Sequence, residues 1–178
     1  VGRLVEKKGL EVLLRAVRGL RCELHVVGDG PISSQLRSKA PSNVIFHGSL
    51  GKTSVMNLMA SSEILVIPSL IAKGGDQEGL PLTLMESSYS NTAVIATNLP
   101  GIKDVISDGE NGLLVPPGDP ASLRGALESL LADAGRRASF ATELGKQSHR
   151  FSVETVVAQY REVLAEALNR SAGAGSNL

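Results

Sequence analysis

Short apolar runs rich in β-branched residues alternate with segments whose apolar residues recur at helical spacing, and no other feature limits the fold as tightly. The strand-like runs are residues 23–28, 44–48, 64–68, 93–96 and 112–115, with Val1 to Arg3 reading as the end of another. Between them, residues 9–19 (Leu10, Leu13, Leu14, Val17), 32–39, 53–60, 81–89 and 102–106 read as helices. This alternation predicts an α/β fold, a Rossmann-like, doubly wound parallel sheet with helices on both faces. From Asp119 onward the pattern is helical, with Asp119 as N-cap, Pro120 at the first turn, and a second helix over 136–148. A last helix opens at Phe151-Ser152 and is expected to turn Val153, Val156, Val157, Tyr160, Val163, Leu164 and Ala167 inward. Residues 1–170 thus read as one domain and 171–178 as a disordered tail. Because Val1-Gly2-Arg3-Leu4 looks like the second half of a strand, the expectation is a fragment whose amino-terminal portion is absent.

Function is expected at the loop Gly74-Gly75-Asp76-Gln77-Glu78-Gly79-Leu80 and the helix after it. Open α/β sheets bind ligands where a strand's carboxyl end gives way to a helix's first turn. Pro81 suits the first helical position, leaving the amides of about Leu82 to Leu84 free at the positive end of the helix dipole, where an anion fits. Glu78 and Glu86 flank that anion site, and carboxylates accept hydrogen bonds from hydroxyl groups. An anion pocket between two carboxylates suits a molecule with phosphates in its middle and hydroxyls at both ends, such as a nucleotide sugar. In Gly2-Arg3-Leu4-Val5-Glu6-Lys7-Lys8-Gly9, a strand end delivers Arg3 and a loop returns Lys8 to the same sheet edge. A guanidinium fork and a mobile ammonium together neutralise a diphosphate without a metal.

Other candidates carry less. Val27-Gly28-Asp29-Gly30-Pro31 lacks the third glycine of a dinucleotide loop and reads as a tight turn, and Asp76 reads as a loop cap. His25, His47 and His149 have no metal-ligand spacing, although His47 lies near the cleft; Ser33, Ser69 and Ser87 lack a nucleophile-elbow context. With net charge +0, 3% aromatic residues and no Trp, nothing points to nucleic acid. The charge is uneven, however: residues 1–52 hold nine Lys/Arg against four Asp/Glu, which puts basic character beside Arg3 and Lys8. The single cysteine, Cys22, excludes an internal disulfide and fits a reducing compartment. No apolar run approaches the length of a membrane span, and no signal peptide is read.

Taken in order, Gly2-Arg3…Lys8-Gly9, Val27-Gly28-Asp29-Gly30-Pro31, Glu78-Gly79-Leu80-Pro81…Glu86, Pro100-Gly101-Ile102 and Asp108-Gly109…Asn111-Gly112 resemble the carboxyl-terminal donor-binding domain of retaining GT-B glycosyltransferases of the GT4 family. The form Asp76-Gln77-Glu78-Gly79-Leu80-Pro81 is similar to enzymes of bacterial exopolysaccharide and lipopolysaccharide assembly. The resemblance implies that Arg3 and Lys8 bind the donor diphosphate and that Glu78 holds the sugar hydroxyls, with the backbone of Gly2 and of Gly79, Leu80 and Pro81 close by. It further implies phosphate contacts from the amides of Leu82 and Thr83, ribose contacts from Glu86, and a main-chain contact to the base near Leu50. The donor would be a UDP-, GDP- or ADP-sugar, used without a metal or other cofactor. The acceptor, a glycan or lipid-linked molecule, would bind the absent amino-terminal domain. The same resemblance implies a cytoplasmic location or peripheral attachment at the inner face of the membrane. Ser87, Asn91 and Asp104 depart from the family pattern at packing and turn positions. Rival readings are a nucleotide-sugar epimerase or phosphorylase of GT-B architecture and a non-catalytic nucleotide-sugar binding module; a Rossmann dehydrogenase lacks its glycine fingerprint.

Overall fold

One strand, β4 (Ala93–Thr97), is buried along its whole length and divides the core. In the computed structural model, which describes residues 1–174, Ala93 and Ile95 turn to one side of it and Val94 and Ala96 to the other. On the first side they meet α1 (Leu10–Ala16) and α6 (Pro120–Ala132), through Leu13, Val17, Leu123, Leu127 and Leu130. On the second they meet α3 (Lys52–Ser61), α4 (Leu82–Ser87), α5 (Pro100–Lys103) and α7 (Ala134–Gly145), through Met59, Leu84, Ile102 and Leu144. A strand covered on both faces has no polar alternation to show, which is why Ala93-Val94-Ile95-Ala96 reads as a continuous apolar run.

All strand pairs are parallel. They form two sheets: β1 (Leu24–Val27) with β2 (Val44–Gly48), and β3 (Ile64–Ile67) with β4 and β5 (Leu113–Val115) in the order β3-β4-β5. The helix α2 (Ser33–Lys39) links β1 to β2 and buries Leu36 against Leu4, Leu14 and Val26. Val1 to Arg3, expected as a strand end, runs extended beside β1: the amides of Gly2 and Leu4 donate to the carbonyls of Val27 and Asp29, each at 2.9 Å. The strip is too short to count as a strand in its own right.

Three expectations need correction. The helix after the loop begins at Leu82, not Pro81; Pro81 is its N-cap, with its carbonyl accepting from the amides of Leu84 and Met85. It also ends at Ser87, because the hydroxyls of Ser87, Ser88 and Ser90 bond back to the carbonyls of Leu84, Met85 and Ser87, and Asn91 (φ 54°) takes the left-handed turn. The last helix, α8 (Val153–Ala174), does not turn its apolar face inward: Val153, Tyr160, Val163 and Leu164 are 60–74% exposed. Periodicity defines an apolar face but not what covers it. The tail expected from Ser171 is helical as far as Ala174, and 175–178 lie outside the described residues.

Candidate active site

Glycines set how closely the site's segments approach. A Cβ on Gly28 would lie 1.9 Å from the carbonyl oxygen of Gly2, so the Val27-Gly28-Asp29-Gly30 turn is glycine-bearing because the segment carrying Arg3 passes directly over it. On the far side, a Cβ on Gly101 in α5 would lie 2.3 Å from the carbonyl oxygen of Gly79. The pieces singled out by the sequence therefore press on one another through backbone.

The first loop is held against the end of β3. A 3-10 turn, Glu6–Lys8, follows Val5, and the amide of Leu70 donates to the carbonyl of Lys7 at 2.7 Å. This arrangement sends Lys7 and Lys8 toward the glycine-bearing loop. Lys7 Nζ pairs with Asp76 Oδ1 and Lys8 Nζ with Glu78 Oε1, both at 3.0 Å. The two pairs differ in kind. Asp76 is 67% exposed and its bridge is a surface strap, whereas the Glu78 side chain is 12% exposed and Lys8 25%. The Lys8–Glu78 pair is thus partly withdrawn from water, where loss of one partner costs more than it does at the surface. Asp76 is thus a bridge to Lys7, beyond the loop-capping role read from sequence; its carbonyl does take the amide of Ala72 at 2.8 Å.

Gly2, Arg3, Lys8 and Thr83 line one small cavity of about 30 Å³ at the carboxyl ends of β1 and β3. Arg3 is exposed and forms no ion pair among the described residues, leaving its guanidinium open to a ligand. Burial, and next the Lys8 ammonium, push the α-amino group of Val1 below its ordinary value, while Glu86 opposes the shift; Lys8 and Glu86 are therefore both near enough to bear on the Val1 nitrogen, with opposite sign. The amides of Leu82 and Thr83, at the first two positions of α4, have no acceptor within the helix. Leu84 is not free in this sense, since its amide donates to Pro81.

Not every expected residue joins this group. Leu50 is exposed on the loop after β2, and Leu80 and Leu82 turn their side chains to solvent, so only main chain is available to a ligand there. Pro81 is buried. His47 stacks on His25, with His25 Nδ1 and His47 Nε2 2.9 Å apart, away from the cavity. Among the described residues, no group of three His, Cys, Asp or Glu is placed to hold a metal ion.

Comparison with known proteins then decides the family: residues 1–133 match the family model described as glycosyl transferases group 1. The chain belongs to the group 1 glycosyl transferases. A phosphatidyl-myo-inositol mannosyltransferase of Mycolicibacterium smegmatis is 31% identical over 172 residues, covering 92% of this chain and 43% of that relative. An amylovoran biosynthesis glycosyltransferase of Erwinia amylovora, AmsK, is 32% identical over 137 residues, covering 71% of this chain and 34% of its own length. Among solved structures, Anabaena Alr3699/HepE in complex with UDP superposes with a TM-score of 0.81 at 23% identity, covering 93% of this chain and 47% of that one. The chain thus spans less than half the length of each of these three proteins. The architecture is that of the GT-B glycosyltransferases.

Two residues at this cavity and its neighbouring loop were given no binding role from sequence. Ser69 is 1% exposed, lines the Arg3–Lys8 cavity, and its hydroxyl has no partner, the one such buried side-chain atom among the described residues. A serine after an apolar strand gives no local signal of this. Lys7 was the other, and here a signal exists: Lys7-Lys8 faces Asp76-Gln77-Glu78, adjacent cations opposite carboxylates two apart.

No helix among the described residues is long and apolar enough to cross a membrane.

Proposed function

We propose that residues 1–170 are the donor-binding domain of a retaining glycosyltransferase that moves a hexose from a UDP-, GDP- or ADP-sugar to a glycan or lipid-linked acceptor. The observation that carries this reading is the Lys8–Glu78 pair beside the cavity lined by Gly2, Arg3 and Thr83. Arg3 and Lys8 take the diphosphate, the first as a planar fork and the second as a point charge. Lys8 leaves or shares Glu78 as phosphate arrives, so Glu78 becomes available to sugar hydroxyls at the moment the leaving group is neutralised. The amides of Leu82 and Thr83 add two donors to phosphate, Glu86 accepts from the ribose hydroxyls, and main chain near Leu50 meets the base. Stabilising the departing diphosphate lowers the barrier to breaking the glycosidic bond, and electrostatic stabilisation of developing charge is the largest single contribution in many enzymes. Retention follows when the acceptor attacks on the face from which the diphosphate leaves. The acceptor contacts belong to polypeptide outside this chain, and so does any attachment of the cytoplasmic enzyme to the inner face of the membrane.

Calorimetric titration of the full-length polypeptide with UDP, GDP, ADP and their sugar conjugates tests this reading. Binding of one nucleotide, weakened at least tenfold by Glu86→Ala, is expected. Binding of none of the three, or binding indifferent to Glu86, overturns the assignment.

A further inference from the structure

A buried hydroxyl without a partner destabilises a fold, because its hydrogen bonds to water are lost and nothing replaces them. Ser69 is such a residue: it is 1% exposed, and its Oγ stands alone among the buried side-chain oxygens and nitrogens of the described residues in having no hydrogen-bond partner. Ser87, Ser90 and Thr92 show the ordinary alternative, since each of their hydroxyls donates to a main-chain carbonyl.

The main chain around Ser69 is held from two directions. Its carbonyl accepts from Thr97 Oγ1 at 2.8 Å, which ties it to the end of β4. The next residue, Leu70, donates its amide to the Lys7 carbonyl at 2.7 Å. A Cβ on Gly9 would lie 1.7 Å from the Pro68 carbonyl oxygen, so the chain just after Lys8 packs directly on the residue before Ser69. These contacts set Ser69 at the wall of the cavity that Arg3 and Lys8 also line.

The lining of that cavity shows which chemistry would satisfy the hydroxyl. It includes two cations, Arg3 and Lys8, and two hydroxyl side chains, Ser69 and Thr83, but no Asp or Glu. Guanidinium and ammonium groups only donate hydrogen bonds, so the group that suits all of these side chains is an acceptor. A volume of about 30 Å³ matches a single oxygen atom rather than a sugar ring. A sugar hydroxyl would be matched by a carboxylate, and neither Glu78 nor Glu86 reaches this lining. A phosphoryl oxygen, negatively charged and able to accept from several donors, fits the set.

We propose that Ser69 is a further residue of the donor site, whose hydroxyl donates to a non-bridging phosphate oxygen of the nucleoside diphosphate alongside Arg3 and Lys8. This inference rests on the donor-domain reading above and adds to it a contact from the end of β3. Ser69 is shut off from solvent in the free domain, and the shift of Lys8 from Glu78 toward the phosphate is the movement that opens it. The unpartnered hydroxyl is then a group preorganised for a ligand, at the expense of the stability of the free domain.

The test is calorimetric titration of the full-length polypeptide with UDP, GDP, ADP and their sugar conjugates, in the parent, Ser69→Ala and Glu86→Ala proteins, with Tm measured without nucleotide. Ser69→Ala is expected to weaken the nucleotide that the parent binds by at least about fivefold, equally for the free diphosphate and its sugar conjugate, while Tm holds or rises. A smaller loss overturns the proposal. A loss confined to the sugar conjugate moves the contact to the sugar and overturns it too, and a lowered Tm does the same by giving the hydroxyl a structural role. If Glu86→Ala weakens binding and Ser69→Ala does not, this inference fails and the donor-domain reading stands. If the parent binds no nucleotide, both fail.

Discussion

Gly101→Ala isolates the contact by which α5 supports the glycine-bearing loop. Gly101 has no positive φ, so an alanine there is unstrained in its own backbone and the effect is steric. The added Cβ would sit 2.3 Å from the Gly79 oxygen, 2.6 Å from the Gly79 carbonyl carbon and 3.2 Å from the Leu80 nitrogen. An ordinary contact is about 3.4 Å, so α5 and the Glu78-Gly79-Leu80 segment must part by roughly 1 Å. Overpacking of this kind costs about 1–3 kcal/mol. At roughly 2–4 °C per kcal/mol for a domain of this size, Tm falls by about 2–12 °C. Gly79 lies between Glu78 and the start of α4, so the displacement is expected to pass to Glu78 and the amides of Leu82 and Thr83. A misplacement of about 1 Å costs on the order of 10²-fold in turnover. The assay is sugar transfer by the full-length enzyme, with kcat and donor KM measured separately and Tm followed by calorimetry. Unchanged kinetics with a lowered Tm would refute the coupling between α5 and the donor site. Unchanged Tm and kinetics would refute the steric argument itself.

Lys8→Ala strands the Glu78 carboxylate, which is only 12% exposed, and on the proposed reading also removes a diphosphate contact; kcat/KM for the donor is expected to fall by at least about 10²-fold. Ser69→Ala deletes a buried hydroxyl that has no partner, so Tm measured without donor is expected to hold or rise, by no more than the equivalent of about 1–3 kcal/mol, and a fall would mean that the hydroxyl is satisfied. Asp119 caps α6, and its pKa is held below the ordinary carboxylate range, first by the Ser122 hydroxyl and then by the amides of Ser122 and Ala121. Its stabilisation is therefore complete above the unfolded aspartate pKa and lost as pH falls through the depressed folded value, so denaturant titrations should give Asp119→Ala a flatter acid limb than the parent protein.

Much of this was legible in the chain because its signals are local. The apolar run through β4, the Asp119 cap and the left-handed Asn91 each follow from side-chain or backbone chemistry within a few residues. The position of Pro81 was misread because its fixed φ (−64°) fits either side of the helix start, and only its extended ψ of 130° puts it outside the helix. Inward packing of α8 was misread for a different reason: an apolar stripe states a need for cover without naming its source. Ser69 illustrates a third limit, since a hydroxyl becomes informative only after three distant segments have closed around it.

The site's electrostatics show why the two adjacent lysines are not equivalent. Lys7 and Lys8 each bind a carboxylate of the same loop at 3.0 Å, and a distance criterion alone would treat them alike. Exposure separates them. The Lys7–Asp76 bridge lies in water, where such pairs contribute about 0–1 kcal/mol, so its loss should leave the loop in place. The Lys8–Glu78 bridge is partly desolvated and adjoins a cavity edged by Arg3 and Thr83, so neither charge can lose its partner without another taking its place. A diphosphate is such a replacement for Lys8, and a row of sugar hydroxyls is one for Glu78. A nucleoside diphosphate lacking its sugar supplies only the first. The free nucleotide should therefore bind more weakly than its sugar conjugate in the parent protein, and Glu78→Gln, which leaves no carboxylate to strand, should narrow that gap.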